Sequence, residues 1–123
     1  MKILIVEDNA INQSLIDIRL KKMDYETHIV NNGKEALEYL KVESPDLILM
    51  DMKMPVLDGY ATTKLIRLEE RLKNIPIIGL SANALKKDIL EALNSGCDDY
   101  LTKPVNFEVL KLKISSLISK RNV

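Results

Sequence analysis

The stretch Leu47-Ile48-Leu49-Met50-Asp51 decides how this chain folds. Four consecutive apolar residues, with Pro45 before them and Pro55 after Asp51, are typical of a short strand that is buried on both faces. Such a strand belongs at the centre of a parallel sheet. Asp51 ends it, and open α/β sheets bind ligands in the crevice beyond the carboxyl ends of their strands. A lone aspartate there ordinarily only satisfies loop backbone donors, so its function depends on the residues around it.

The composition predicts one globular domain that spans residues 1–123. The chain has 46% hydrophobic and 29% charged residues, the balance of a domain with a real core. Its 18 Lys and Arg residues balance its 18 Asp and Glu residues, so nothing favours binding to nucleic acid or to a charged membrane surface. Cys97 is the only cysteine, and no segment is typical of a membrane span or a signal peptide. We therefore expect a cytoplasmic protein with a reduced, largely buried thiol.

Strands and helices are predicted to alternate along the chain. Four apolar runs join the central one as strands, at residues 3–6, 26–30, 76–80 and 98–101, and the second, the least hydrophobic, fits a sheet edge. Asn31-Asn32-Gly33 favours a strand-to-helix loop over a hairpin, because residues at helical spacing follow it. Asn9 is placed to cap the first helix and Gly96 to end the fourth.

Apolar residues three and four positions apart predict five amphipathic helices, and we expect these residues to form their buried faces. The five groups are Ile11, Leu15 and Ile18; Ala36, Leu37 and Leu40; Ala61, Leu65 and Leu68; Leu85, Ile89, Ala92 and Leu93; and Phe107, Leu110, Ile114 and Leu117.

Five strands alternating with five helices imply an α/β fold, a doubly wound parallel sheet with right-handed crossovers. If the third strand pairs with the first on the side opposite the second, the strand order is 2-1-3-4-5. Glu7 and Asp8, which follow the first strand, then converge with Asp51 in one crevice.

This arrangement predicts a site for phosphoryl transfer. Three neighbouring carboxylates repel one another strongly, and a fold tolerates them by protonation or by binding a cation. Oxygen ligands on loops, with room for water, suit Mg²⁺. The fourth and fifth strands add the hydroxyl of Ser81 and the ammonium of Lys103 at the same rim. A hard cation, a lysine and a hydroxyl around Asp51 suit charge neutralisation during phosphoryl transfer, with Asp51 as the nucleophile.

Four motifs in order resemble the receiver domain of two-component response regulators. They are Ile5-Val6-Glu7-Asp8-Asn9, Asp51-Met52-Lys53-Met54-Pro55 with Asp58-Gly59, Leu80-Ser81-Ala82 and Leu101-Thr102-Lys103-Pro104. The resemblance covers essentially the whole chain and implies a flavodoxin-like (βα)5 fold. It implies that Asp51 accepts a phosphoryl group from a phosphohistidine on a partner. The chain would then be a signalling phosphoacceptor that assists its own phosphorylation and dephosphorylation, and not an enzyme.

The same resemblance implies the ligands of Mg²⁺ and the contacts of the phosphoryl group. Glu7, Asp8 and Asp51 would hold the ion, with the Met52 carbonyl as a backbone ligand. Lys103 would pair with the phosphoryl oxygens, and the Lys103-Pro104 bond is usually cis in receivers.

Switching and turnover residues also follow from the resemblance. Ser81 would move toward the phosphoryl group, and Tyr100 would swing inward after it. Lys53 and Asn83, two residues after Asp51 and Ser81, flank the approach of a hydrolytic water. They would therefore set how long the phosphoryl group persists.

Residues 7–12 and 81–84 are most similar to receivers of hybrid histidine kinases, and single-domain response regulators are also similar. Such receivers exchange phosphoryl groups with a histidine kinase or a histidine phosphotransfer protein, and drive no attached DNA-binding domain. We expect those partners, no nucleic acid, no membrane, and a monomer or weak dimer.

Three other classes of protein compete with this interpretation. A flavodoxin-like FMN-binding protein would need a small-residue loop after the first strand, where Glu7-Asp8 would repel a phosphate. A Mg²⁺-dependent phosphohydrolase similar to haloacid dehalogenases would carry a second Asp two residues after Asp51, where this chain has Lys53. A pseudo-receiver would lack part of the acidic cluster or the lysine, and both are present. The sequence therefore favours the receiver.

Overall fold

The computed structural model of the chain describes residues 1–54, 56–83 and 85–121, apart from the side chain of Arg121. Pro55 and Ala84, which belong to stretches quoted above, lie outside the described residues. Strands and helices alternate as predicted: β1 (Lys2–Val6), α1 (Ala10–Lys22), β2 (Glu26–Val30), α2 (Gly33–Leu40), β3 (Leu47–Asp51), α3 (Gly59–Leu68), β4 (Ile77–Ser81), α4 (Lys86–Ser95), β5 (Asp99–Thr102) and α5 (Phe107–Arg121).

The five strands form one parallel sheet in the order β2-β1-β3-β4-β5, which confirms the predicted topology. Every residue of β3 is buried, as expected for the central strand. The register places Asp51 beside Leu80 and Ser81 beside Thr102. The carboxyl ends of β1, β3, β4 and β5 therefore share one edge of the sheet.

The pleat of the sheet divides the core in two, because successive side chains of a strand point to opposite faces. Leu4, Ile48 and Met50 pack in the cluster that also holds buried residues of α2, α3 and α4. Ile5 and Leu49 pack in the other cluster, with buried residues of α1 and α5. Helices thus cover both faces of the sheet.

The predicted buried faces of α1 and α3 are wrong. The side chains of Ile11 and Leu68 are 78% and 81% exposed, and Leu15, Ile18 and Leu65 are exposed as well. The buried residues are instead Ile16 and Leu20 in α1, and Gly59, Tyr60, Thr62, Thr63 and Ile66 in α3. Both helices carry apolar residues on two sides, so spacing alone did not identify the buried side.

Close helix packing explains why α3 buries Thr62. A Cβ atom at Gly33, the first residue of α2, would lie 1.9 Å from Oγ1 of Thr62. Small side chains at this contact let α2 and α3 approach, whereas a leucine would hold them apart. The predicted buried face of α4 was partly wrong. Ala92 is buried, but Leu93 is exposed, and Leu85 precedes the helix and is exposed as well. The α5 prediction is confirmed, with Leu110 and Ile114 fully buried and Phe107 and Leu117 packed against them.

Capping residues fix where the helices begin and end. Asn9 and Asn32 each accept a hydrogen bond from a backbone amide in the first turn of α1 and α2, at 3.0 and 2.9 Å. The second cap confirms that Asn31-Asn32-Gly33 joins a strand to a helix. Gly96 ends α4 with φ of 121°, a conformation that favours glycine, as its predicted role required.

Candidate functional site

Three carboxylates meet at the carboxyl edge of the sheet. One oxygen from each of Glu7, Asp8 and Asp51 lies within 4.8 Å of the other two. Glu7 and Asp51 are buried, whereas Asp8 is exposed. Two carboxyl groups inside the protein and a third at the surface therefore line a pocket that is open to water on one side.

Glycine at position 59 lets the Asp51 loop close onto α3. A Cβ atom on Gly59 would lie 2.4 Å from the backbone oxygen of Asp51, closer than real contacts allow. Asp58 accepts a hydrogen bond from the Ala61 amide at 2.9 Å and so caps α3 directly behind this glycine. The start of α3 is therefore seated against the end of β3.

Lys103 lies between two of the carboxylates. Its Nζ donates to Oε1 of Glu7 at 2.8 Å and lies 3.3 Å from Oδ2 of Asp51. The backbone amide of Lys103 donates to the Ser81 carbonyl at 2.8 Å, which ties the residue to β4. The Lys103-Pro104 bond is cis, as the resemblance implied. Pairing with Glu7 was not predicted, and it shows that the lysine neutralises the acidic cluster as well as facing Asp51.

Burial and mutual repulsion perturb ionisation throughout this cluster. Burial, reinforced by the hydrogen bond and negative charge of Glu7, raises the pKa of Asp51 from its ordinary 3.8 to about 7. Burial opposes ionisation of Glu7 as well, but hydrogen bonds from Lys103 and the Asn9 amide outweigh it and lower the pKa of Glu7. Burial is likewise outweighed at Lys103, whose pKa is raised by Glu7 and Asp51. Glu7 and Lys103 therefore form the charged pair. A further positive charge near Asp51 would favour the ionised form of that carboxyl.

Ser81 and Tyr100 are joined through Asn83. The buried Ser81 hydroxyl oxygen accepts a hydrogen bond from the Asn83 amide at 3.2 Å. The hydroxyl of Tyr100 donates to the Asn83 carbonyl, and Tyr100 is buried. The hydroxyls of Ser81 and Tyr100 are therefore both hydrogen-bonded to the backbone of Asn83.

The two residues after Asp51, Met52 and Lys53, make different contacts. The Met52 carbonyl accepts a hydrogen bond from the Gly59 amide at 3.2 Å, and its second lone pair stays available to a metal ion. The Lys53 amide donates to Oδ1 of Asp51 at 3.1 Å. The Lys53 ammonium lies 5.8 Å from the centre of the Tyr60 ring. Sequence reasoning missed Tyr60, because it placed the buried face of α3 on other residues.

The donor set fits Mg²⁺. Glu7, Asp8 and Asp51 offer three carboxylates, the hard oxygen ligands that this ion prefers, and the exposed side leaves room for the waters it retains.

Among the described residues, no helix is both long and apolar enough to cross a membrane.

The parallel α/β sheet, with an acidic cluster, a lysine and a hydroxyl at its carboxyl edge, has the arrangement that the sequence predicted for a phosphoryl-transfer site. Residues 3–115 match the response regulator receiver domain family. The chain belongs to this family and is a receiver domain of two-component signalling. Neither the FMN-binding nor the phosphohydrolase alternative has any support from these comparisons.

The relatives include receivers of hybrid kinases and a single-domain regulator. The chain is 42% identical over 118 residues to hybrid signal transduction histidine kinase G of Dictyostelium discoideum, a match over 94% of this chain and 3% of that protein. It is 38% identical over 104 residues to the polar-differentiation response regulator DivK of Brucella anthropi, over 85% of each chain. The chain thus spans only a small part of the hybrid kinases that it matches.

Two solved structures have closely similar folds. The receiver domain of sensor histidine kinase PA1611 from Pseudomonas aeruginosa, solved with a magnesium ion in its active-site cleft, has a TM-score of 0.90 and 40% identity over 96% of this chain and 97% of that one. A co-crystal of the Saccharomyces cerevisiae histidine phosphotransfer protein Ypd1 with the receiver domain of Ssk1 gives a TM-score of 0.92 and 36% identity, over 100% of this chain and 92% of that one.

Proposed function

We propose that Asp51 accepts a phosphoryl group from a phosphohistidine of a partner protein, with Mg²⁺ held by Glu7, Asp8, Asp51 and the Met52 carbonyl. One observation carries the proposal: the buried carboxylate of Asp51 lies 3.3 Å from the Lys103 ammonium and within 4.8 Å of two further carboxylate ligands. The magnesium in the PA1611 receiver supports the same assignment.

The transfer exchanges one bond to phosphorus for another. A carboxylate oxygen of Asp51 attacks the phosphorus atom, the N–P bond of the phosphohistidine breaks, and the bonding pair stays on the imidazole nitrogen. When held by these carboxylates, Mg²⁺ would supply positive charge for the phosphoryl oxygens. Lys103 supplies the second positive charge, since its ammonium already faces Asp51. Asp51 must be ionised to attack, and its raised pKa means that added positive charge in the pocket favours the reactive form.

The switch follows from the hydrogen bonds of Ser81. Once a phosphoryl group is present, its oxygens offer the Ser81 hydroxyl a charged acceptor, and such hydrogen bonds are stronger than neutral ones. Movement of Ser81 disturbs its bond with the Asn83 amide, and the Asn83 carbonyl holds the Tyr100 hydroxyl. Tyr100 then changes its packing, and partners recognise the altered surface.

An exposed apolar stripe on α1 supports docking of a protein partner beside the site. Ile11, Leu15 and Ile18 lie on the solvent side of the helix that follows Glu7 and Asp8. We propose that a histidine kinase or a histidine phosphotransfer protein covers this stripe while its histidine reaches Asp51. The Ypd1 co-crystal shows that a receiver of similar fold binds such a protein.

The chain acts as a phosphoacceptor and not as a turnover enzyme, although its own residues assist gain and loss of the group. Lys53 and Asn83 flank Asp51 and Ser81 and are proposed to control access of water. A cytoplasmic location agrees with the free, buried Cys97. We propose a monomer or weak dimer that binds no nucleic acid, in line with its net charge of zero.

The proposal is tested by incubating the protein with Mg²⁺ and a small phosphodonor and measuring its intact mass. We expect addition of one phosphoryl group to the parent, none to Asp51→Asn, and unchanged addition to Asp24→Asn, an exposed aspartate outside the acidic cluster. Lys103→Ala should retain Mg²⁺ binding but accept the group more slowly, because it keeps the metal ligands and loses the counter-charge. Unchanged phosphorylation of the Asp51→Asn variant would refute the assignment.

A further inference from the structure

The Lys53 side chain leaves the acidic cluster although its backbone touches it. The Lys53 amide donates to Asp51 at 3.1 Å, yet within the described part of the chain the Lys53 ammonium makes no ion pair. The ammonium lies 5.8 Å from the centre of the Tyr60 ring, inside the range of cation–π contacts. A lysine two residues from a buried carboxylate therefore lies over an aromatic face.

The Tyr60 ring is packed in the core, whereas the Lys53 side chain is exposed. Tyr60 is 7% exposed and packs in the core cluster of α2, α3 and α4. It follows Gly59, whose backbone is seated directly against Asp51, so the ring keeps a constant position relative to that carboxylate. Lys53 is exposed and can leave the ring without disturbing the core.

The face of the ring, and not the hydroxyl, makes this contact. The buried Tyr60 hydroxyl has no hydrogen-bond partner among the residues that the structure describes. Tyr60→Phe therefore removes a group that holds nothing and keeps the face on which Lys53 rests. Tyr60→Leu removes that face.

We propose that Tyr60 is a positioning residue for dephosphorylation, which rests on the proposed function of Asp51. The Tyr60 ring holds the Lys53 ammonium away from Asp51. The ring and the phosphoryl group therefore compete for this ammonium. While Lys53 stays on the ring, the path of water to phosphorus is open. When Lys53 leaves the ring, it pairs with the phosphoryl oxygens and covers that path.

The sign and size of the effect follow from this competition. Removing the ring frees Lys53 to cover the phosphoryl group, so hydrolysis slows. Cation–π contacts at exposed sites are weak, which corresponds to a change of about two- to fivefold in the rate of phosphoryl loss. The effect requires Lys53 and disappears without it.

The contact itself is tested by NMR without any phosphorylation. In the unphosphorylated protein the ε-methylene protons of Lys53 should be shifted upfield by the ring of Tyr60. The shift should persist in Tyr60→Phe and vanish in Tyr60→Leu. Lys53 protons at ordinary positions in the parent would overturn the inference.

The role in turnover is tested by a double-mutant cycle of phosphoryl loss after the donor is removed. We expect Tyr60→Leu to slow the loss about two- to fivefold, Tyr60→Phe to match the parent, and Tyr60→Leu to have no effect in a Lys53→Ala background. An equal effect of Tyr60→Leu in both backgrounds, or none in either, would overturn the inference while leaving Asp51 phosphorylation intact. If Tyr60→Leu fails to fold, a Tyr60→Phe rate that differs from the parent still refutes a role for the ring face. A parent that takes no phosphoryl group would refute the proposed function itself, and this role in turnover with it.

Discussion

Replacing Asp51 by Asn should stabilise the metal-free protein at alkaline pH. Burial and the neighbouring Glu7 raise the pKa of Asp51 from 3.8 to about 7, so the folded state holds this proton more tightly than the unfolded state. The stability of the parent therefore falls as pH rises from about 4 to about 7, and the full penalty is present above pH 7. Asn cannot ionise, and its amide can donate to Glu7 as the protonated carboxyl does.

The difference between the two pKa values sets the size of the effect. A separation of about three pKa units corresponds to about 4 kcal/mol at pH 8, with about 1.4 kcal/mol for each unit. At pH 5 less than half of the penalty remains. The lowered pKa of Glu7 acts in the opposite way. Its contribution to the stability of the folded state is present above the ordinary pKa of 4.5 and is lost as pH falls below that value. Between pH 5 and pH 8, Asp51 therefore dominates.

Urea denaturation in the presence of a chelator measures this difference. We expect Asp51→Asn to exceed the parent by several kcal/mol at pH 8 and by less than half as much at pH 5. Asp24→Asn is the control, because that exposed carboxylate lies outside the acidic cluster. A gain in stability that is the same at both pH values would refute the assignment of a raised pKa to Asp51.

Three further predictions concern the metal, the packing of α3 and the thiol. Mg²⁺ should stabilise the folded protein by about 2.7 kcal/mol at a hundred times its dissociation constant, and Asp8→Asn should reduce that gain in a melting experiment; a melt indifferent to Mg²⁺ would count against the acidic pocket. Arg67→Met should lower the free energy of unfolding by about 3 kcal/mol in urea denaturation, because the guanidinium donates to three backbone carbonyls and to Asp98. Arg67→Lys should not restore this stability. A loss within error of zero would show that these hydrogen bonds are unimportant. Burial raises the pKa of Cys97 to about 11, so alkylation at pH 8 should be slow until the protein unfolds, and rapid alkylation of the native protein would contradict its burial.

Strand order and strand positions could be predicted because each strand is a short apolar run between turn residues. The central run at residues 47–50 is fully buried, and Asn9 and Gly96 mark helix ends as predicted. Burial of helices was harder to predict. In α3 the side facing α2 carries Thr62, since only a small side chain fits against Gly33, and hydrophobicity cannot reveal that.

The candidate site was predicted from residues at the ends of strands, because a parallel sheet brings those ends together. The structure places Glu7, Asp8, Asp51 and Lys103 in contact range, as the topology required. Contacts made by flexible side chains could not be read from spacing. The pairing of Lys103 with Glu7, and the position of Lys53 over Tyr60, depend on the three-dimensional path of each side chain.

The central claim is that the carboxylate of Asp51 carries the phosphoryl group. Hydride reduction of the phosphorylated protein converts an aspartyl phosphate to homoserine, and peptide mass analysis then locates the residue. We expect homoserine at position 51 alone, formed only when both Mg²⁺ and the phosphodonor were present. Homoserine at another aspartate, or its absence in a protein whose intact mass shows a bound phosphoryl group, would contradict the claim.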